Sequence, residues 1–119
     1  MQEQKVQKVY LDIINQIFEI EKKASLIQES NSIHRNINKL KDIFENELFT
    51  ETHKEPQGLI FHNPLGEVYN ETRTDCEASI AGSSTDNLMV TEVIKPIIRF
   101  KKGGLNILIQ KAVVIAKSK

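Results

Sequence analysis

The sequence predicts an α+β chain, with helices first and a small antiparallel β-domain after them. Three observations carry this. Glycine and proline are absent before Pro56, whereas all five glycines and all three prolines lie from there onward. The first half spaces its apolar residues as a helix does, and the second half has short β-branched runs separated by turn residues. The expected organisation is a helical dimerisation region over residues 1–55 and a small partner-binding β-domain over residues 56–119.

The helical half opens with Val6, Tyr10, Ile13, Ile17, Ile20, Ala24 and Ile27, which step by 4, 3, 4, 3, 4 and 3. That is the seam of a coiled coil or antiparallel helix pair. Val9, Leu11, Ile14, Phe18 and Leu26 widen the stripe toward a bundle face. A helix of about 28 residues would run some 40 Å. The second half is too small to cover such a stripe, so a second copy of the chain is the expected partner and those seven residues the expected dimer interface. A monomeric hairpin, with the second helix folded back on the first, is the alternative. Ser30, Asn31 and Ser32 are N-cap candidates for that second helix, which carries Ile33, Ile37, Leu40, Phe44 and Leu48 on one face. "TETHKEPQG" reads as a linker.

In the second half "GLIFH" reads as a strand, and "NPLGE" as a turn in which Pro64 pre-sets φ and Gly66 is free to take positive φ. "TDCEASIAG" alternates, with Cys76, Ala78 and Ile80 on one side and Asp75, Glu77 and Ser79 on the other. "LMVTEVIKPIIRF" is one long strand or two bent ones, because Pro96 cannot donate to a ladder. "KKGG" turns the chain into "LNILIQKAVVIAK", the last strand or two.

Composition narrows the function. Lys and Arg number 16 against 16 Asp and Glu, without the basic excess of a nucleic-acid binder. No run of about 18 apolar residues suggests a membrane span, and the N-terminus lacks the apolar core of a secretory signal. With one cysteine there is no internal disulfide, in keeping with a cytoplasmic protein. Neither catalysis nor a metal or other cofactor is expected. Cys76 lies on an apolar strand face rather than beside His34, His53 or His62, there is no CxxC, and the histidines lack metal-ligand spacing. Glu67, Glu71, Asp75 and Glu77 read as solvated turn and strand positions, since a domain of about 60 residues has little interior for a catalytic pocket. Gly103-Gly104 is followed by no GK[ST] and no helix, so it is not a phosphate loop. Binding remains, and charged turns such as "YNETRTD" and "RFKKGG" are where a binding wing meets its partner.

Element order and residues together resemble a short, divergent GrpE-type nucleotide exchange factor. Such factors have a dimerising helix, a short helical bundle and a small β-domain that commonly opens with P-x-G-x-x-[FY]-[DN]. Pro64, Gly66, Tyr69 and Asn70 fit that pattern. "TEVIKP" is similar to the family's "xEVLxxGY" strand through Glu92 and Val93, and Leu108 to Lys117 is similar to its closing stretch. The "GY" is absent, Lys111 stands where the family has proline, and "H-E-A-V" is echoed only by Glu77-Ala78. The resemblance implies a homodimer that binds the ATPase domain of a DnaK-type chaperone and speeds ADP release. It implies no covalent chemistry, and a partner surface around Pro64, Leu65, Gly66, Tyr69, Arg73 and Glu92. A dimeric adaptor presenting the same β-domain to an unrelated partner is the alternative function.

Overall fold

A computed structural model describes residues 6–29, 31–49 and 57–119. The chain is mixed α+β. Helices α1 (Lys8–Ala24) and α2 (Asn31–Asp42) are followed by a π-turn over Ile43–Glu47. Six strands follow: β1 (Gln57–His62), β2 (Cys76–Ala81), β3 (Leu88–Lys95), β4 (Ile97–Lys102), β5 (Leu105–Gln110) and β6 (Ala112–Ser118). They form two three-stranded sheets, ordered β1-β4-β5 and β2-β6-β3. By contact the chain divides into two units, one of residues up to Ile60 with Arg99–Ile107, the other of Phe61–Ile98 with Leu108–Lys119.

In the first unit α1 is 17 residues long, about 25 Å, and so shorter than the 28 expected. At its end the backbone bonding tightens from i→i−4, Ser25 N–H to Glu21 O, to i→i−3, Leu26 N–H to Lys23 O and Ile27 N–H to Ala24 O, and the Ser25 hydroxyl donates to Lys22 O. Leu26 and Ile27 fall in the turn that follows, where Glu29 takes a left-handed φ of 62°. Lys22 and Lys23 in the last turn complement the negative end of the helix dipole. Of the expected N-caps, Asn31 and Ser32 lie inside the first turn of α2, and Ser30 lies outside the described residues. Of the expected linker, Thr50 to Gly58, residues 50–56 lie outside the described residues, and Gln57 and Gly58 instead open β1, both buried.

The helices pack on one another, and the Lys41 ammonium donates to Glu21 at 2.6 Å. Ile14, Ile17, Phe18 and Ala24 of α1 are buried, as are Ile37 of α2 and Phe44 of the π-turn. The expected seam is thus divided. Ile17 and Ala24 turn inward, Val6 is half-buried, and Tyr10 meets Phe49 edge to face at 5.6 Å between ring centres. Ile13 and Ile20 stay 43% and 48% exposed, and Ile27 beyond the helix 52%.

The π-turn anchors the rest of this unit. Lys101 on β4 donates to Glu45 at 2.9 Å, and Phe100 stacks edge to face on Phe49 at 5.9 Å. Gly58 on β1 runs so close to the π-turn that an added Cβ would lie 1.8 Å from the Glu45 carbonyl oxygen. Strands β4 and β5 join through Gly103 and Gly104, both at positive φ (50° and 87°), which is the geometry a two-residue hairpin demands.

The second unit is built on β6. β3 pairs with it antiparallel, bulging between Val90 and Glu92 and between Val93 and Lys95. β2 pairs with it in parallel, Cys76 opposite Ala112 through Ala81 opposite Lys117. This corrects the expectation of a purely antiparallel domain. The chain leaves β2 and returns in β6 only after β3, β4 and β5, and so long a crossover is what a parallel pair requires. Val90, Val93, Val114, Ala112 and Ala116 are buried, and Pro96, also buried, separates β3 from β4. The alternation in β2 holds at Cys76, fades at Ala78, and ends with Ile80 39% exposed.

The Gly58 contact is directly testable. Gly58→Ala must move backbone against backbone, so urea denaturation should show a loss of about 2 kcal/mol. An unchanged midpoint would show that β1 and the π-turn separate freely.

Candidate functional site: the Asn63–Asp75 loop

The loop between β1 and β2 is polar, yet local chemistry holds it tightly. Asn63 begins it by accepting from Leu65 N–H through its side-chain oxygen at 3.1 Å, an Asx turn. Pro64 is buried, its carbonyl accepts from Glu67 N–H at 3.0 Å, and Gly66 sits at φ 83°, so the Pro64–Glu67 turn needs glycine at its third position. The chain then runs beside β3. Gly66 N–H donates to Val90 O, Val90 N–H to Glu67 O, and Tyr69 N–H to Leu88 O, all at 2.9–3.0 Å, with Val68 bridging Met89. Residues 66–69 therefore cover part of the outer edge of β3.

Asn70 makes the next turn. Its side-chain oxygen accepts from Thr72 N–H at 3.0 Å and from the Thr72 hydroxyl, and its carbonyl accepts from Arg73 N–H at 3.1 Å. Asp75 O then accepts from Ala112 N–H at 2.9 Å, handing the chain to the β2–β6 pairing.

One side chain joins these turns. The Arg73 guanidinium donates to both carboxylate oxygens of Asp75 at 2.9 and 3.2 Å, to Glu67 at 3.1 Å and to the Val68 carbonyl at 3.1 Å. Glu67 also pairs with the His62 imidazole at the end of β1. With its side chain only 19% exposed, Arg73 is a bracket rather than a free charge. The Asp75 hydrogen bond, opposed by partial desolvation, holds its pKa further above an already high value, so it stays charged throughout. Burial pushes the neighbouring Cys76 thiol up while the Arg73 charge pulls it down, and the burial effect wins. A thiol held protonated in this way is a poor nucleophile.

Beside the loop lies an open depression of about 430 Å³ within the second unit. It is lined by Val68, Tyr69, Asn70 and Glu71 of the loop and by the segment from Thr85 to Leu88. Among the described residues no group of three or more His, Cys, Asp or Glu is placed to hold a metal ion. None of the described helices is long and apolar enough to cross a membrane.

The residues expected to meet a partner thus take different positions. Leu65 and Gly66 are exposed at the tip, Tyr69 is half-buried on the wall of the depression, and Glu92 is exposed on β3. Pro64 is buried and acts through the shape of the turn, and Arg73 is engaged within the chain. Sequence reasoning did not single out Asp86 and Asn87. The positive φ of Asn87 (53°) belongs to a residue type that tolerates it, and "STDN" was the available signal. Comparison with protein-family models, curated proteins and solved structures yields no match.

Removing the bracket would leave two partly buried carboxylates without their cation. Arg73→Leu should lower stability by about 1–3 kcal/mol at pH 7. It should also speed amide exchange at Gly66 and Tyr69 relative to the β6 core. Unchanged exchange at those two amides would show that the turns hold without it.

Proposed function

We propose that this chain is a non-enzymatic binding protein whose second unit presents the Asn63–Asp75 loop to a partner. Within that class, we infer that it is a nucleotide exchange factor of GrpE type acting on a DnaK-type ATPase. One observation carries the reading: the residues that fit the family pattern, Pro64, Gly66, Tyr69 and Asn70, each have a distinct part in one pinned loop. Pro64 is buried in the turn, Gly66 supplies the positive φ, Tyr69 pairs with β3, and Asn70 caps the second turn. The order of elements, helices and then two small sheets, is in keeping with it.

The mechanism is mechanical. A rigid loop seated against the ATPase would hold the nucleotide cleft in its open state, which binds ADP weakly, and release would accelerate through differential affinity for two conformations. Self-association belongs to the same proposal. Val9, Ile13, Gln16, Ile20 and Lys23, all exposed, step along α1 by 4, 3, 4 and 3. This outward seam is narrower than the one expected from sequence, and its polar Gln and Lys positions favour a defined register over high affinity.

Stopped-flow release of a fluorescent ADP analogue from the ATPase tests the reading. The full chain should accelerate release at least tenfold. Gly66→Val, which strains the turn, should abolish the effect while leaving the helices intact. Ile13→Glu with Ile20→Glu should halve the mass in solution and weaken the acceleration. A folded wild-type protein that leaves the release rate unchanged would reject the exchange-factor reading.

A further inference from the structure

The carboxylates around the loop fall into two groups. Glu67 and Asp75 are both engaged by Arg73, and Glu67 also pairs with the His62 imidazole. Glu71 and Asp86, both among the residues that line the depression, make no side-chain hydrogen bond or ion pair among the described residues. No Lys, Arg or His lines the depression; Lys119, whose N–H donates to Asn87 O, is not among its lining residues. Tyr69 adds an aromatic side chain to the lining of this open depression of about 430 Å³.

The walls are held in place before anything binds. Tyr69 N–H is tied to Leu88 O, the Ser118 hydroxyl donates to Asp86 O at 2.7 Å, and Lys119 N–H donates to Asn87 O at 3.1 Å. Two carboxylates are too few for a metal ion, and a hollow lined by two carboxylates and no cationic side chain does not suit an anion. An aromatic face beside planar oxygen acceptors suits a guanidinium, which is weakly hydrated and stacks on rings.

We propose that this depression receives an arginine side chain of the partner, with Tyr69 against the guanidinium plane and Glu71 and Asp86 accepting from its N–H groups. The proposal rests on the exchange-factor reading only for the identity of the partner. It makes the depression a specificity site: Glu71 and Asp86 select a cation that the Arg73 bracket, already satisfied, has no part in recognising.

The test titrates N-acetyl-arginine methylamide into the ¹⁵N-labelled full chain. Amide resonances of Tyr69–Glu71 and Thr85–Leu88 should shift saturably at millimolar ligand. The lysine analogue should bind several-fold more weakly. Glu71→Gln with Asp86→Asn, both at exposed positions, should keep the spectrum of the folded protein and lose the response. Absence of saturable shifts, or shifts that survive the double variant, would overturn the proposal. The ATPase domain is the second probe, and the double variant should weaken its binding at least tenfold. A full-strength complex with the double variant would overturn the proposal and leave the exchange-factor reading standing. If the wild-type chain does not bind the ATPase at all, that reading fails, and the arginine titration alone decides the site.

Discussion

The second unit depends on one guanidinium. Without Arg73, residues 66–69 would keep their backbone bonds to Val90 and Leu88 on β3 and Asn70 its own turn, but no side chain would join the two turns to Asp75. With it, Glu67 beside β3, the Val68 carbonyl and Asp75 at the entrance to β2 are bound to one planar group. Planarity matters, because a forked donor fixes angles as well as distances, which a lysine ammonium would not do. The energetic gain in a partly exposed setting is modest. The geometric consequence is larger: backbone bonds already hold residues 66–69 against β3, and Arg73 ties Asp75 and the second turn to that base, beyond which the tip at Leu65 is exposed. A loop ordered in advance loses less conformational entropy on binding than one that must be ordered by its partner.

A second constraint acts on the helical half. Helix α1 has more apolar surface than its own unit covers. Ile14, Ile17, Phe18 and Ala24 satisfy the inward face, while Val9, Ile13 and Ile20 remain outside on a stripe that repeats every seven residues. An unassociated stripe of that kind is a solubility liability, and in the proposed account a second copy of the same helix would cover it with matching spacing. The two halves thus divide the work in the proposed account. One sets how many loops are presented together, and the other sets what each loop recognises.

Much of this was legible in the sequence because the signals are local. Helical spacing without Gly or Pro marked α1 and α2, Pro96 separated β3 from β4, and Gly103-Gly104 made the β4–β5 hairpin. Pro64 and Gly66 announced a turn that needs a positive φ. What stayed hidden depends on partners distant in the chain. The parallel pairing of β2 with β6 leaves no mark in either strand, because a register between segments so far apart is set by the whole crossover. The end of α1 at Ala24, where the backbone tightens to i→i−3 bonds and Glu29 turns left-handed, falls in a sequence whose apolar spacing continues to Ile27. The requirement for glycine at position 58 comes from Glu45, which no local pattern connects to it. Arg73 looked like a surface charge because its partners lie in two different turns, and a one-dimensional reading shows composition but not convergence.

The central claim is that the chain discriminates between conformations of a nucleotide-binding partner. The most direct test is calorimetric titration of the full chain into the DnaK-type ATPase domain, once nucleotide-free and once saturated with ATP. The account predicts at least a hundredfold tighter binding to the nucleotide-free form, about 2.7 kcal/mol of coupling. Equal affinity for both forms would contradict it, since a ligand indifferent to two states shifts neither; the chain would then act as an adaptor.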